Sequence, residues 1–188
     1  MVQRQPALEA LICEKLLDKI ETTPFHRIKV TDFVKFAEIS RSSFYMHFDS
    51  IYSVVQKIED DFLSGLTDED EALRQPIHDR EATKPTPFTL MKVEYIRRNQ
   101  RLLRILTGPN GDPAFQARMT NRIWRMFKKR YENCVKLTEP EKKLVCEYLC
   151  GGQLNFYRWY ASHENEISVY DMGLLLDKLL NRILSMLE

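Results

Sequence analysis

The sequence predicts an all-α protein of about nine helices, a small N-terminal module followed by a larger helical domain. Apolar residues recur at spacings of three and four along nearly the whole chain, and the period-two alternation of strands is almost absent. Helix-opening residues also stand at the head of most periodic stretches: Thr31, Ser40, Asp49, Thr86-Pro87, Asp112-Pro113, Thr138 with Glu141, and Ser168 with Asp171. The 188 residues suffice to bury a substantial core, and neither a repeat nor a low-complexity tract interrupts them.

The first helix should begin near Pro6 and carry the row Leu8, Ile12, Leu16 and Ile20, ending before Pro24. Phe25 and Ile28 pack a short connection. Thr31 is expected to cap a second helix with a stripe of Phe33, Phe36 and Ala37; Ser40 then caps a third after a very short turn. In that third helix Phe44 and Phe48, four apart, face the core, and Ile39 fills the space between helices. Asp49 is expected to cap a fourth helix running through Ile51, Val54, Val55, Ile58 and Phe62 to Gly65. Residues 66–87 are charged and proline-bearing and read as a linker, with a short helical turn conceivable at Ala72 and Leu73. Further helices are expected from Thr86 to about Arg98, from Leu102 to Leu106, from Asp112 to about Val135, from Thr138 to about Ala161 and over 169–187. The domains follow: 1–48 as a helix-turn-helix module and 49–188 as a helical regulatory and dimerisation domain, with helix 49–65 connecting them.

The formal net charge is only +1, and residues 1–50 hold seven Lys or Arg against seven Asp or Glu, so affinity for nucleic acid must come from local placement of charge. Cys13, Cys134, Cys146 and Cys150 lack zinc-ribbon spacing and read as buried or half-buried free thiols; Cys146 and Cys150, i and i+4 on one helix, share a face, which leaves a metal or redox-sensing pair as the alternative. Charge interrupts the apolar residues of the N-terminus, so no signal peptide is expected. No apolar run approaches membrane-spanning length, and the expected location is the cytoplasm. A glycine-rich phosphate loop, HExxH and motif-spaced nucleophiles are all missing, and His26, His47, His78 and His163 are scattered. The expectation is a protein that is not an enzyme and needs no cofactor or metal.

The chemistry lies between Thr31 and Phe48. Ser42, Ser43 and Met46 point away from the Phe44–Phe48 side, with Arg41 and Tyr45 on one flank and His47 on the other. The free amides of a helix N-terminus and these hydroxyls suit phosphates, and a guanidinium can fork onto a guanine edge or a phosphate. Lys29, Thr31, Ser40, Arg41, Ser42, Ser43, Tyr45 and His47 are therefore the candidate contacts to double-stranded DNA.

The order Thr31, Ala37, Ile39, Ser40, Tyr45, His47, Phe48 resembles the helix-turn-helix of TetR-family transcriptional regulators. AEISRSSFYMHF, YLCGGQLNFYRWY and the terminal helix are most similar to the branch that includes dihydroxyacetone-kinase regulators. The resemblance implies that the third helix enters the major groove, that the start of the second helix, Tyr45 and His47 touch phosphates, and that two subunits bind a palindromic operator, most often as a repressor. Two positions depart from the pattern. Glu38 replaces the glycine usual at the turn, and Ile51 replaces a lysine common at the start of the fourth helix. They raise the competing reading of a TetR-shaped ligand-sensing or protein-interaction factor without autonomous DNA binding.

In the C-terminal half nearly every helix has a wide apolar face. The last helix is apolar on two sides, one to fill the subunit and one to meet a partner. Tyr148, Gly152, Phe156, Leu176, Leu180, Ile183 and Leu187 are the candidate homodimer interface. The resemblance implies pairing of the last two helices with their copies, which would set the reading helices about 34–36 Å apart. Tyr95, Met119, Ile123, Trp124, Phe127 and Tyr131 are candidates to line an effector pocket, with ordinary core packing as the alternative. Arg118, Arg122, Arg125 and Lys129 form a basic stripe, as do Arg97, Arg101 and Arg104. Both read as solvated faces, with an anionic effector or acidic partner as the sharper alternative.

Overall fold

The computed structural model describes residues 4–66, 83–131, 137–163 and 166–184. Among them are nine α-helices and one 3-10 turn, with no strand: α1 (Arg4–Thr22), α2 (Val30–Phe36), α3 (Arg41–Tyr45), α4 (Ile51–Leu66), α5 (Pro87–Arg98), α6 (Gln100–Leu106), α7 (Phe115–Tyr131), α8 (Glu139–Ser162) and α9 (Val169–Leu184), the turn being Phe25–Arg27. The expected linker around Ala72 and Leu73, the helix end near Val135, Cys134 and Leu187 lie outside the described residues.

The chain divides into two compact units, one of Met1–Leu63 with Arg104–Phe115, the other of Ser64–Leu103 with Gln116–Glu188. The first unit thus runs past Phe48, since α4 buries Ile51, Val54, Val55, Ile58 and Phe62 in the same core that takes Ile12, Leu16 and Ile20 of α1. The 104–115 segment joins it by hydrogen bonds. The Phe25 N–H donates to the Asn110 carbonyl at 2.9 Å, the Asn110 side-chain amide donates to the Glu21 carbonyl at 3.1 Å, and Phe62 meets Phe115 edge to face at 6.1 Å.

In the second unit α5 packs on α8 and α9. Thr86 caps α5, accepting from the Thr89 N–H at 3.1 Å, with Pro87 in the first turn where no donor is lost. The buried Asp177 carboxylate of α9 accepts from the Thr86 N–H and the Thr89 hydroxyl, tying the start of α5 to α9. Gly173 permits this approach, since a Cβ there would meet Pro85 at 3.2 Å and Leu90 at 3.3 Å. Thr138 donates from both backbone and hydroxyl to Glu141 at the head of α8, and Ser168 accepts from the Asp171 N–H at the head of α9.

Three local expectations need correction. Thr31 does not cap α2. The Lys29 carbonyl already accepts from Asp32 and Phe33 at 3.1 and 2.9 Å, so the helix begins at Val30 and Thr31 sits inside its first turn. Ser50, not Asp49, caps α4, through a reciprocal pair with Ser53 at 3.1 Å each way. Phe36 is 42% exposed rather than core. With 100° per residue, the buried arc is completed by Phe33, Ala37 and Val34, and Phe36 falls outside it. The Lys15 and Lys19 ammonium groups cover its ring at 6.0 and 5.1 Å from the centroid.

Candidate nucleic-acid interface

α2 and α3 are held together by aromatic packing. Phe33 and Phe44, both fully buried, meet edge to face at 5.9 Å, and Phe44 contacts Phe48 at 6.2 Å. Val34 and Ala37 close the same small core, as the sequence spacing requires. The turn between the helices is tight because Glu38 takes φ 56, the left-handed region, letting the Ile39 N–H reach back to the Val34 carbonyl at 3.0 Å.

Ser40 then starts α3 in extended geometry. Its hydroxyl accepts from the Ser43 N–H at 3.0 Å and shares hydrogen bonds with the hydroxyls of Ser42 at 2.8 Å and Ser43 at 2.7 Å. These three hydroxyls form one cluster at the head of the helix. Arg41, Ser42, Tyr45 and Met46 are exposed, Met46 at 71%, while Ser43 and His47 are half-buried. The Tyr45 ring is steadied by an edge-to-face contact with Phe44 at 5.4 Å, which leaves its phenol outward. Lys29 is exposed and Thr31 half-buried at the start of α2.

The structure therefore brings Ser40, Arg41, Ser42, Ser43, Tyr45 and His47 together on and beside one short helix, with Lys29 and Thr31 at the head of the neighbouring one. Chemically this is a surface of donors that rotate or fork, anchored on buried rings, with the carboxylates of Asp32 in the first turn of α2 and Glu38 at the turn beside them. Ile51 is buried at the first turn of α4, which explains why an apolar residue is tolerated there; Tyr52 beside it is exposed and packs near Phe25 at 6.4 Å.

The C-terminal candidates divide. Tyr148 and Gly152 of α8 are exposed, the former at 68%, and a Cβ on Gly151 or Gly152 would meet nothing within 4 Å. Phe156 is half-buried. Leu176, however, is buried, and Leu180 and Ile183 pack against Cys146, Leu149 and Cys150. That side of α9 fills the subunit, and the apolar residues it leaves outward are Leu175 and Leu179. Leu144 at 70% and Trp159 also stand exposed on the arc of Tyr148. The periodicity of 144, 148, 152 and 159 carried that signal in the sequence. On α9 two apolar sides looked alike, and the partner facing each was invisible.

Of the pocket candidates, Met119 is buried and Trp124 packs on the Cys146–Cys150 cluster. Tyr95 lies against Gly65, whose absent side chain makes room for the ring. The side chains of Ile123, Phe127 and Tyr131 are outside the described residues. In the Arg97 stripe, Arg97 grips Glu94 through two bonds of 2.7 Å and Arg98 adds a third at 2.8 Å. Those hydrogen bonds hold the Glu94 carboxyl down at about 2.

The described residues form a compact helix-turn-helix unit and a second helical unit, an architecture shared by transcriptional regulators. A TetR-type family model described as "Transcriptional regulator C-terminal region" matches residues 83–182, just over half of the chain, and the protein belongs to the TetR family of transcriptional regulators. Solved structures with the same fold include a TetR transcriptional regulator from Streptococcus agalactiae, 17% identical, with a TM-score of 0.63 over 99% of this chain and 96% of that one. The dihydroxyacetone kinase operon activator DhaS is 17% identical, with a TM-score of 0.56 over 96% of each chain. The fatty acid degradation regulator FadR from Bacillus halodurans is 12% identical, with a TM-score of 0.59 over 96% of this chain and 94% of that one. No curated protein matches at a significant level. Among the described residues no helix is long and apolar enough to cross a membrane.

Proposed function

We propose that this regulator is a cytoplasmic repressor that binds a palindromic operator as a homodimer and is released when a small-molecule ligand or a protein partner occupies its C-terminal half. The observation that carries this reading is the α3 surface, where Ser42, Arg41 and Tyr45 stand exposed over the Phe33–Phe44–Phe48 core. Family membership supports it. DhaS is described as an activator, so the sign of regulation is read separately, from transcription with the operator in place.

The test is selection of bound fragments from the organism's own DNA at low salt, followed by titration of Arg41→Ala and Tyr45→Ala. Enrichment of an inverted repeat and a loss of about tenfold or more on Arg41→Ala are expected, a bidentate contact being worth roughly 1–3 kcal/mol. Enrichment of no inverted repeat overturns the reading. Glu38 at the turn and the buried Ile51 favour the second reading, a ligand-sensing or protein-interaction factor without autonomous DNA binding; specific binding by the wild type disposes of it.

A further inference from the structure

Cys146 and Cys150 stand apart from the nucleic-acid chemistry. Both thiols are 1% exposed, one helical turn apart on α8, and their sulfurs lie 3.7 Å from each other. They are packed among Leu149, Trp124, Leu137, Val145, Leu180 and Ile183. The two thiols share a hydrogen bond, which lowers the Cys146 thiol from its ordinary value, while the same bond and burial push Cys150 up.

The geometry selects what can join the two sulfurs. A disulfide spans Cβ atoms about 3.5–4.5 Å apart, whereas i,i+4 positions of a helix hold them at about 5–6 Å, so direct oxidation requires α8 to deform. A single bridging atom does not. With bonds of about 2.3 Å, the length of a zinc–thiolate bond, sulfurs 3.7 Å apart subtend roughly 105–110° at a shared atom. Linear two-coordinate cations need about 180°, which would spread the sulfurs to about 4.6 Å, wider than they stand. A tetrahedral cation wants four donors, and among the described residues no group of three or more His, Cys, Asp or Glu is placed to hold a metal ion. What remains is a pyramidal, thiophilic centre with two sulfurs and a third substituent of its own, seated in an apolar lining.

We infer that Cys146 and Cys150 form a two-thiol site for a monosubstituted trivalent arsenical, an organic group on arsenic with two hydroxyls. Each arsenic–oxygen bond breaks as an arsenic–sulfur bond forms, and each thiol proton leaves with the departing hydroxide as water. Two waters are released, arsenic stays trivalent, and neither oxidant nor reductant is consumed. The organic substituent displaces part of the packing around Trp124 and Leu149. Because Leu180 and Ile183 cover the thiols, capture is slow and follows a transient opening between α8 and α9.

Full-length protein carrying Cys13→Ala and Cys134→Ala, incubated with phenylarsine oxide, tests this by native mass spectrometry and thiol titration. One phenylarsenic adduct per chain is expected, with both remaining thiols lost together. Cys146→Ser and Cys150→Ser in that background should each bind at least about 100-fold more weakly, since the second bond is made at high effective concentration. Alanine versions and thermal melts separate lost binding from lost folding. Equal affinity in the single-cysteine variants overturns the site, as does an adduct that forms only after unfolding in urea.

Discussion

Glu38 holds a backbone conformation that L-residues avoid, at φ 56, and it does so in the turn that aims α3. Left-handed geometry costs a side-chain-bearing residue about 1–2 kcal/mol, partly offset on changing to glycine by the entropy an unfolded glycine gains. Glu38→Gly should therefore stabilise the folded chain by about 1 kcal/mol, a rise of roughly 3 °C in Tm on thermal denaturation. Glu38→Gln keeps the backbone cost and removes only the charge. It should leave Tm unchanged and tighten DNA binding several-fold at low salt, an effect that fades as salt rises. A tightening that persists at high salt would show that the carboxylate does not act on phosphates. The pair of variants thus divides this departure from the family pattern into strain and charge.

At the scale of elements, α3 is only five residues long and cannot stand by propensity alone; its cap and its two buried rings hold it. Ser40→Ala deletes the acceptor of the Ser43 N–H and the hub of the hydroxyl cluster. It should cost about 1 kcal/mol in urea denaturation, and Ser40→Gly much less. In α5 the Glu94 carboxyl, held at about 2 by hydrogen bonds from Arg97 and then Arg98, should show that midpoint in an NMR titration. A depressed acid contributes its stabilisation above its unfolded value and loses it as pH falls toward 2, so Arg97→Ala should move the midpoint part of the way up toward the ordinary carboxylate range, the Arg98 bond retaining the rest. An unmoved midpoint would place the cause elsewhere. The caps at Ser40, Thr86, Thr138 and Ser168 were legible in the sequence because a cap is a local contract between neighbours. Thr31 and Asp49 misled because Lys29 and Ser50 compete for the same donors one or two residues away, a contest decided by the path of the incoming chain. The α3 face was legible too, since one helical period fixes which side Phe44 and Phe48 bury. Leu176 was not, because α9 offers apolar residues on both sides and only its packing on α5 and the Cys146 cluster selects one.

At the scale of the whole molecule, α8 leaves Leu144, Tyr148 and Trp159 exposed and α9 leaves Leu175 and Leu179 exposed, the large apolar side chains that the proposed homodimer would cover. Gly151 and Gly152 interrupt the α8 row with space into which another helix can settle closely. Under the proposed function a second copy of the chain covers this face and also pairs two α3 surfaces, because one five-residue helix reads too few bases to specify a site by itself. Tyr148→Glu with Leu179→Glu places charges on this face without touching either compact core. The double variant should sediment as a folded monomer, keep its helical circular dichroism and thermal transition, and lose operator affinity by at least about 100-fold. Leu176→Glu tests the assignment of the two sides of α9. It forces a charge into the packed interior at a cost of several kcal/mol and should abolish folding rather than dimerisation. Were Leu176→Glu to give a folded monomer while Tyr148→Glu with Leu179→Glu remained dimeric, the two faces of α9 would have to be exchanged.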